Sequence, residues 1–543
     1  DCLKRFETES GIPVKDLYSP EDIKDIDYNR DLGNPGEYPY VRGPYKGMYR
    51  KMLWLKGLVT SCETPRLTNE RFKKQIKEGQ TGLRLNSDVN THACIDPDHP
   101  LGIREIASNA CPHWALPELE ETFEDIPFED IDIELAHGGV HSAFTMFCQL
   151  LGVAEKRGEN IARLRGSTIN CPIGSHVSHQ YHNIPLPLAK KMNTDIVEFA
   201  TRYVPRWHPT VPCIYYPQEC GITSVQALAL VLLAAVAYCQ SALERGLKFD
   251  EFAPRLVFSL TGEIDFFETI AKMRAVRRMW AKIAKDRFQA SNSTSCCVRI
   301  ALRTAGDTLM AQQPVNNIAR ITIETMAGIF GGAQSLDSAS LDEPFGIPTD
   351  EAVTVSMNIQ HIVAHESGIP LTPDPLGGSY YLEWLTSKLE EKANKLIREI
   401  EGMGGIYAAI DSGWIEDLFK KEKIERQKEI EEKRRIIVGV NEYVIPSEEE
   451  IPIPRYKHDV QEAREQTLAK LRKFKQDRNP EKTRESLRLL YEGAERDENL
   501  IRPAIEAFKA DATIGEVIGI IREGQGYSYD SFNMIRRPDF LNF

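Results

Sequence analysis

The chain has 543 residues, of which 42% are hydrophobic and 27% charged, and it carries a formal net charge of −13. These proportions are typical of a globular protein. The excess of acidic residues argues against a broad nucleic-acid-binding surface and fits small-molecule or protein partners. The most apolar stretch, residues 224–241, is interrupted by Gln226 and Gln240 and predicts a buried helix, not a membrane span.

Cysteine usage predicts a reduced, cytoplasmic protein. The eleven cysteines are scattered singly, apart from the adjacent Cys296 and Cys297, and no CxxC pair occurs. Thiols such as those of Cys171 and Cys220 are interpreted as small buried hydrophobes, because a free cysteine is more often buried than nucleophilic.

The first 385 residues predict an arm followed by a barrel. Residues 1–37 are acidic, rich in turn formers and almost without periodicity, which indicates an extended arm lying on the protein or on a partner. From residue 53 onward, short β-prone runs alternate with helical segments. This pattern predicts an α/β fold, a (β/α)8 TIM barrel over residues 38–385. The predicted strands are 53–61, 82–88, 132–138, 166–171, 211–217, 255–260, 297–304 and 334–340.

Several predicted strands carry polar residues where a packed barrel would have branched apolar ones. SLTGE at 259–263, RIALRTAGDT at 299–308 and QSLDSAS at 334–340 are examples. Small and polar inward positions predict a channel along the axis; the alternative is that the strand boundaries are displaced. In either case the chemistry is expected at the C-terminal strand ends. The predicted helices between strands include 69–78, 224–245, 266–286 and 316–330.

The remainder of the chain is predicted to be mainly helical. Residues 386–457 are interpreted as a helical extension and linker, with long helices at 385–401 and 420–435 and a short strand-like piece, IVGVNEY, at 437–443. Residues 458–543 form a C-terminal helical region in which two or three amphipathic helices are expected.

Two groups of residues are candidates for a site. His176, His179 and His182 would form a stripe on a helix, but no acidic residue or cysteine accompanies them at ligand spacing. We therefore predict no metal site and expect loop histidines near a ligand. Tyr215 and Tyr216 end the fifth predicted strand and would point to opposite faces, so one of them faces the axis. For that residue a site role and a packing role remain open.

Seven motifs, in order along the chain, resemble the methylmalonyl-CoA mutase superfamily. They span roughly residues 11–443: GEYPYVRGPYKGMY, GQTGLRLNSDVNTH, FAPRLVFSLTGEIDFFETIAKMRAVRRMWAKI, AQQPVNNIAR, GGAQSLDSASLDE, DPLGGSYY and VGVNEY. The resemblance implies a barrel in which an acyl-CoA lies along the axis. It also implies an isomerase that uses adenosylcobalamin for a radical rearrangement of the carbon skeleton.

In this family the cobalamin lies on a flavodoxin-like domain with a DxHxxG motif. The sequence contains no such motif and no βαβ pattern after residue 443. The chain therefore resembles the split members, in which a separate small subunit carries the cobalamin domain. The resemblance implies a heterodimer or heterotetramer with that subunit, and a chaperone GTPase as a further partner.

The resemblance also implies roles for single residues. Glu219, Gly306 and Glu343 match positions that face the cobalamin or the adenosyl group, and Ser87 stands where the family has a phenylalanine near the corrin ring. The positions that match acyl-CoA-binding or active-site residues are Tyr45, Met48, Thr168, Arg255, Arg299 and Gln334.

The residues around the reacting acyl group depart from the methylmalonyl-CoA pattern. Gln180 stands where an arginine binds the free carboxylate of methylmalonyl-CoA, and glutamine there resembles the isobutyryl-CoA and 2-hydroxyisobutyryl-CoA mutases. A buried carboxylate without its arginine would be costly, so the resemblance implies another acyl group, branched, hydroxylated or bulky. The other changed positions are Gly57, Val59, Arg84, Asn86, Asn170, Tyr216 and Arg303.

Two interpretations of these departures remain open. Tyr216 replaces a histidine that binds the thioester carbonyl, and its phenol could donate the same hydrogen bond. The changes at Val59, Gly57 and Ser87 remove bulk, which predicts a larger pocket in an active mutase subunit. The alternative is a non-catalytic barrel subunit of a mutase heterodimer.

Overall fold

The computed structural model describes residues 6–136, 138–177, 184–457 and 459–543. The chain forms two compact units, each built from discontinuous segments. The first unit contains Asp1–Leu58, Pro212–Gln240 and Lys248–Arg455; the second contains Val59–Val211, Ser241–Leu247 and Tyr456–Phe543. The domain boundaries predicted from the sequence at residues 37, 385 and 457 stay a prediction.

Each unit contains one parallel sheet. The order is β1-β9-β8-β7 in the first unit and β2-β3-β4-β5-β6 in the second, and every pairing is parallel. The α/β class is confirmed, while a closed (β/α)8 barrel stays a prediction. The strands are β1 Leu55–Gly57, β2 Val59–Thr60, β3 Gly82–Leu85, β4 Asp132–Leu135, β5 Arg165–Thr168, β6 Trp207–His208, β7 Val257–Gly262, β8 Arg299–Thr304 and β9 Ser335–Asp337.

The helices account for most of the chain between and after the strands. They are α1 Pro65–Lys77, α2 Val89–Ala93, α3 Leu116–Thr122, α4 Val140–Lys156, α5 Pro172–Val177, α6 Leu186–Tyr203, α7 Tyr215–Glu219, α8 Ser224–Glu244, α9 Phe249–Phe252, α10 Phe266–Asp286, α11 Asn317–Phe330, α12 Asp350–His365, α13 Tyr380–Gly402, α14 Ile406–Asp411, α15 Trp414–Glu431, α16 Val460–Asp477, α17 Pro480–Glu495, α18 Ile501–Lys509 and α19 Ile514–Gly524.

Most predicted elements are confirmed, with small shifts of their ends. Helix α10 begins at the predicted residue because Asp265 caps it, its carboxylate accepting the N–H of Glu268 over 3.1 Å. Helix α8 has the length and composition of a membrane span, but 89% of its most apolar window is buried inside the protein. The predicted buried helix is therefore confirmed.

Four sequence predictions are wrong in detail. The first predicted strand is two short strands, which separate at Leu58 and belong to different sheets. The fifth predicted strand, 211–217, contains only an isolated bridge at Cys213, and the fifth strand of the second unit is Trp207–His208 instead. Residues 437–443 form turns with one isolated bridge. The C-terminal region contains four helices, α16–α19, where two or three were expected.

Alternation along the strands separates an apolar face from a polar one in the first unit. Phe258 of β7 packs edge-on against Trp280 of α10, with ring centroids 5.3 Å apart. Leu302 and Leu336 lie against Gly328 of α11. The apolar core of this unit therefore lies between the sheet and helices α10 and α11, and residues one step along each strand face the other way.

The core of the second unit lies between its sheet, its helices and the C-terminal helices. Leu83 and Leu135 of the sheet belong to one buried cluster with Phe144 of α4 and with Leu487 and Phe508 of α17 and α18. The predicted C-terminal region therefore contributes directly to this core, because the apolar sides of its helices are buried there.

The family-like motifs at both ends of the first unit are tied together by a buried ion-pair network. Asp374 of DPLGGSYY accepts from Arg42 of the RGPY motif at 2.9 Å and from Arg274 of α10 at 2.7 Å. Arg274 also pairs with Glu383 of α13. These charged motif residues therefore act as structural ties, since breaking one partner of a buried pair leaves an uncompensated charge.

Candidate functional site

The polar face of the first sheet carries two rows of side chains in register. Ser259, Ala301 and Ser335 form one row across β7, β8 and β9. Two residues further along each strand, Thr261, Arg303 and Asp337 form the second row. A parallel sheet covered on both faces is usually apolar throughout. The predicted small and polar positions are therefore confirmed at these strand residues. The alternative of displaced boundaries is also confirmed in part, because Glu263, residues 305–308 and residues 338–340 lie beyond the strand ends.

The second row ends at a buried ion pair. Arg303 Nε lies 3.3 Å from Asp337 Oδ2, and both side chains are at least nine-tenths buried. The guanidinium of Arg303 also lies over the ring of Tyr215, 5.6 Å from its centroid. Predicted residues Arg303 and Tyr215 are thus brought together at the C-terminal strand ends, where the chemistry of such folds is found.

Tyr215 and Tyr216 begin helix α7 and do not end a strand. The prediction that they point to opposite sheet faces is therefore wrong, since neighbouring helical residues are about 100° apart. Their rings meet edge to face, with centroids 5.3 Å apart. Burial raises the pKa of Tyr215 well above its usual value, and the nearby carboxyl groups of Glu219 and Glu343 raise it further.

Glu219, at the end of α7, is joined to the loop after β8. Its carboxylate accepts the main-chain N–H of Gly306 at 3.1 Å and that of Asp307 at 2.8 Å. Gly306 lies so close that a Cβ there would be 3.1 Å from Glu219 Oε2 and 3.5 Å from the Tyr215 hydroxyl. Burial, with the carboxyl groups of Asp307 and Glu263 nearby, raises the pKa of Glu219 to about 9.

Further carboxyl groups surround Glu219. Burial, with Asp307 nearby, raises the pKa of Glu263 to about 8, and burial also raises the pKa of Glu343. Among nearby cations, Arg426 of α15 pairs with Asp307 at 2.6 Å, the buried Lys272 lies near Glu263, and Arg303 lies near Glu343. The site is therefore acidic, with carboxyl groups that retain protons at neutral pH more readily than usual.

The predicted CoA-binding residues of the first unit gather at the opposite ends of the same strands. Arg299, which begins β8, donates to the Tyr45 hydroxyl over 2.7 Å and to the carbonyl of Pro254, next to Arg255, over 2.5 Å. Gln334 precedes β9. Its side-chain oxygen accepts the N–H of Ile300, and its side-chain N–H donates to the carbonyl of Gly332. The residues gathered at these N-terminal strand ends are Tyr45, Met48, Arg255, Arg299 and Gln334.

The second unit also has a polar row in register. Val59, Arg84, Glu134, Ser167 and His208 are paired in sequence across β2 to β6. Arg84 is fully buried and lies 3.2 Å from Asp132, and the Ser167 hydroxyl donates to Glu134 over 3.4 Å. This row is polar in the same way as that of the first sheet, as the sequence predicted for inward positions.

Residues predicted next to the cofactor and acyl group in the second unit make internal hydrogen bonds. His92 accepts the N–H of Gly138 at Nδ1, so its Nε2–H donates to Asn86 over 2.9 Å. The Ser87 hydroxyl lies 2.8 Å from Nδ1 of His113, which is buried. Burial lowers the pKa of His113 to about 3, so its imidazole is neutral.

Thr168 and Asn170 lie in buried structural contacts. The Thr168 hydroxyl accepts the indole N–H of Trp207 over 3.0 Å. Asn170 donates its amide to the carbonyl of Pro209 and accepts the N–H of Val211. These bonds hold the segment after β6, and the predicted substrate and catalytic roles of the two residues stay predictions.

The predicted specificity residue Gln180 lies outside the described residues, as do His179 and His182. His176 of α5 bonds the carbonyl of Pro172 through Nδ1 at 3.0 Å. Within the part of the chain that the structure describes, no cluster of His, Cys, Asp and Glu could hold a metal ion.

Three residues of the acidic site were missed from the sequence. Glu263 directly follows β7 and Asp307 lies three residues after the end of β8, so their place near the C-terminal strand ends was available as a signal. Lys272 gave none, because a lysine in a charged helix is ordinarily exposed. In the structure it is fully buried and donates to Gln218 and to the carbonyl of Thr261.

The fold is of the parallel-stranded α/β class, with a buried acidic site at the C-terminal ends of its strands, an arrangement that is typical of ligand-binding α/β enzymes. The sequence profile of methylmalonyl-CoA mutase matches residues 7–527. The chain belongs to this family, whose members are cobalamin-dependent acyl-CoA mutases, and it is therefore an isomerase.

Individual relatives include enzymes named for two different substrates. The chain is 32% identical over 516 residues to the 2-hydroxyisobutanoyl-CoA mutase large subunit of Aquincola tertiaricarbonis, covering 95% of this chain and 91% of that one. It is 33% identical over 519 residues to the mitochondrial methylmalonyl-CoA mutase of Homo sapiens, covering 95% and 68%. A probable methylmalonyl-CoA mutase of Caenorhabditis elegans is 33% identical over 512 residues, covering 94% and 68%.

Proposed function

We propose that this protein is the catalytic large subunit of an adenosylcobalamin-dependent mutase for a neutral acyl-CoA, branched, hydroxylated or bulky. The observation that carries the proposal is the Arg303–Asp337 pair. Arg303 stands at the C-terminal strand end but its charge is already compensated by Asp337. An acyl carboxylate such as that of methylmalonyl-CoA needs a cation of its own when buried.

The sequence at position 180 supports the same substrate class. Gln180 stands where the resemblance places the arginine for the methylmalonyl carboxylate. An amide can bind a hydroxyl or fill space beside an alkyl group, but it does not neutralise an anion. The relative named for 2-hydroxyisobutanoyl-CoA supports this proposal, while relatives named for methylmalonyl-CoA are equally similar.

The residues at the strand ends fit an adenosyl group. Glu219, Glu343 and Tyr215 offer carboxyl and hydroxyl groups to a ribose, and the absence of a side chain at Gly306 lets its main chain lie close to Glu219 and Tyr215. When bound, adenosylcobalamin would supply the cobalt–carbon bond whose homolysis starts the rearrangement. Glu219 and Glu343 would orient the ribose, and the buried rows would exclude water from the reacting acyl group.

A separate small subunit is part of the proposal. The name of the Aquincola relative, a large subunit, supports a partner that carries the cobalamin. Tyr216 would donate its phenol to the thioester carbonyl, since it stands beside Tyr215 at the start of α7.

The test is to combine the protein with adenosylcobalamin and a small subunit that carries a DxHxxG motif. A panel of acyl-CoAs, namely isobutyryl-, 2-hydroxyisobutyryl-, a bulkier branched acyl- and methylmalonyl-CoA, is then assayed for isomers by mass spectrometry. Isomerisation of a neutral acyl-CoA with methylmalonyl-CoA inert is expected. Turnover of methylmalonyl-CoA would refute the substrate class. Absence of turnover and of cobalamin retention would favour the non-catalytic subunit.

A further inference from the structure

We propose that a cavity beside helix α11 binds a small monocarboxylate with an apolar body, such as a medium-chain fatty acid, through the guanidinium of Arg320. This inference does not depend on the proposed function. The cavity lies among the loops after β7 and β8, helices α11 and α15 and the turn at 436–438, all within the first unit. Its volume is about 450 Å³, and small-molecule sites typically have about 300–1,000 Å³.

The wall of this cavity is mainly apolar. Two of its side chains, Ile436 and Val438, are each 42% exposed. Exposed apolar side chains that are grouped in a cavity favour a ligand with an apolar body, because the burial of their surface is favourable. The apolar lining residues are Ile264, Met310, Ala319, Ile436, Ile437 and Val438.

Hydrogen bonds fix the turn that forms one side of the cavity. Arg320 donates to the carbonyl of Val438 over 2.8 Å, and the Gln313 side chain donates to the carbonyl of Tyr443 over 3.0 Å. The side-chain oxygen of Asn441 accepts the N–H of Ile437 over 2.7 Å. The cavity is therefore formed before a ligand arrives, which lowers the entropic cost of binding.

The positive charge of Arg320 is not balanced by an ion pair. Its guanidinium donates to two neutral oxygens, the carbonyl of Val438 and Oδ1 of Asn317 at 2.8 Å. Within the part of the chain that the structure describes, no carboxylate forms a salt bridge with it. Glu324, one turn along α11, is fully buried and accepts the Thr308 hydroxyl over 2.6 Å. Burial raises the pKa of Glu324 well above its usual value, which favours its neutral form.

The other charged side chains of the cavity are paired with each other. Asp307 lies 2.6 Å from Arg426, and Glu9 pairs with Arg435. These pairs leave the single charge of Arg320, which matches a ligand with one negative charge. A dianion would meet the carboxylates of Asp307 and Glu9 without a second unpaired cation.

A carboxylate is the anionic group that suits Arg320. A guanidinium has five N–H donors, and the two bonds described above leave three for a ligand. Arginine binds carboxylates through two parallel hydrogen bonds, which are stronger than bonds between neutral groups. The apolar body of the same ligand would lie against Ile264, Met310 and Ile437.

The test measures binding of octanoate to the wild-type protein by isothermal titration. Octanamide has the same body without the charge, and acetate has the same head without the body. We expect a Kd for octanoate on the order of 0.1 mM and binding at least about tenfold weaker for both analogues. The Kd for octanoate should be the same when coenzyme A is present in excess, because the cavity is a separate site.

Two variants at the cavity separate charge from shape. Arg320→Gln keeps a side-chain N–H for the Val438 carbonyl but removes the charge, and should weaken octanoate binding at least about tenfold. Arg320→Lys keeps the charge and should restore most of the affinity. Ala319→Phe fills the apolar part and should abolish binding. Since Ala319 is exposed on α11, the Tm of this variant should be close to that of the wild type.

Arg398→Gln is the matched control. Arg398 is an exposed arginine of α13 and does not line the cavity. This variant should bind octanoate as the wild type does. Octanoate should also raise the Tm of the wild type and of Arg398→Gln, but not that of Ala319→Phe, because a ligand stabilises only the state that binds it.

Several results would refute this site. They are the lack of saturable octanoate binding, equal binding of octanamide, and displacement of octanoate by coenzyme A, which would place it in an acyl-CoA site instead. Unchanged binding in both Arg320→Gln and Ala319→Phe would also refute it. If Arg320→Gln does not fold, Ala319→Phe decides alone. A protein that binds octanoate but no acyl-CoA would refute the proposed function and leave this inference standing.

Discussion

The carboxylate of Glu219 accepts the main-chain N–H of Asp307 over 2.8 Å, which joins helix α7 to the loop after β8. Two parts of the chain about ninety residues apart thus share one buried acidic site. Because the carboxyl group is buried and has other acids around it, its pKa is raised to about 9. The effects of pH, of a larger neighbouring side chain and of a changed charge on this contact can be measured.

Protein stability should fall as pH rises from about 5 to 9. The pKa of Glu219 is 4.5 in its ordinary state and about 9 in the folded protein, so the folded state binds more protons across this window. The stabilising contribution of Glu219 is fully present below pH 4.5 and is lost as pH rises to about 9. For one group this loss amounts to at most about 1.4 kcal/mol per pH unit. Thermal unfolding measured at several pH values tests this.

The variant Glu219→Gln should show a flatter dependence of Tm on pH, because the titrating group is gone. Some slope should remain, since the pKa of Glu263 is also raised, to about 8. Glu425→Gln, at an exposed glutamate, is the control and should leave the slope unchanged. A Glu219→Gln slope equal to that of the wild type would contradict the raised pKa.

Substitution of Gly306 by alanine should impair turnover more than stability. The new Cβ would lie 3.1 Å from Glu219 Oε2, so the carboxyl group must move by a few tenths of an ångström. We expect kcat to fall on the order of tenfold to a hundredfold when the reacting groups are displaced. Kinetics with the small subunit and adenosylcobalamin, alongside Tm, provide the measurement.

Gly402→Ala is the matched control for that experiment. Gly402 ends helix α13, and nothing lies within 4 Å of its added Cβ. Alanine there should leave kcat unchanged and raise stability by up to about 1 kcal/mol, through its better helix propensity. If Gly306→Ala behaved like Gly402→Ala, the close approach at Glu219 would have no role in activity.

Variants of the Arg303–Asp337 pair should distinguish its contribution to stability from its contribution to substrate choice. Arg303→Gln removes the guanidinium that lies 3.3 Å from the buried Asp337, so we expect a loss of about 3–5 kcal/mol of unfolding free energy in chemical denaturation. The double variant Arg303→Gln with Asp337→Asn removes both charges and should recover most of it. Additive losses in the double variant would show that the two side chains are not coupled.

The single variant Asp337→Asn tests the proposed substrate class. It removes the carboxylate that lies 3.3 Å from Arg303, which makes the guanidinium more attractive to an anion, so binding of methylmalonyl-CoA should improve relative to isobutyryl-CoA. Competition binding of the two thioesters gives the ratio directly. An unchanged ratio would mean that Arg303 does not face the acyl group.

Acid should destabilise the second unit through His113. Its pKa is lowered from 6.5 to about 3 by burial, so the unfolded state binds more protons between these values. The contribution of His113 to stability is therefore fully present above pH 6.5 and is lost as pH falls toward 3. The His113→Asn variant should show a smaller loss of Tm between pH 6.5 and 4.5 than the wild type, as measured by calorimetry.

Ser87→Ala distinguishes a structural role from the predicted cofactor role. Because the Ser87 hydroxyl bonds His113, its removal should lower the unfolding free energy by about 1–2 kcal/mol. If the role of Ser87 is structural, the affinity for the cofactor, measured with the small subunit, should change little. A large loss of affinity with unchanged Tm would instead support the contact with the corrin ring that the resemblance implies.

The sequence by itself determined the class of the fold, most of its elements and its family. Alternating strand and helix patterns depend on local periodicity and on caps such as Asp265, so they are readable without tertiary contacts. The polar strand positions were also readable, because alternation places Ser259 and Thr261 on one face of their strand, and Ala301 and Arg303 on one face of theirs.

Only the tertiary structure decided how those positions are used. That Tyr215 and Tyr216 lie in a helix follows from the packing of residues after 211, where local β propensity is overridden. Lys272 lies in a charged helix that would be exposed by composition, yet it is buried beside Glu263. Hydrogen-bond partners, buried charges and raised pKa values arise between residues distant in sequence, so no local pattern encodes them.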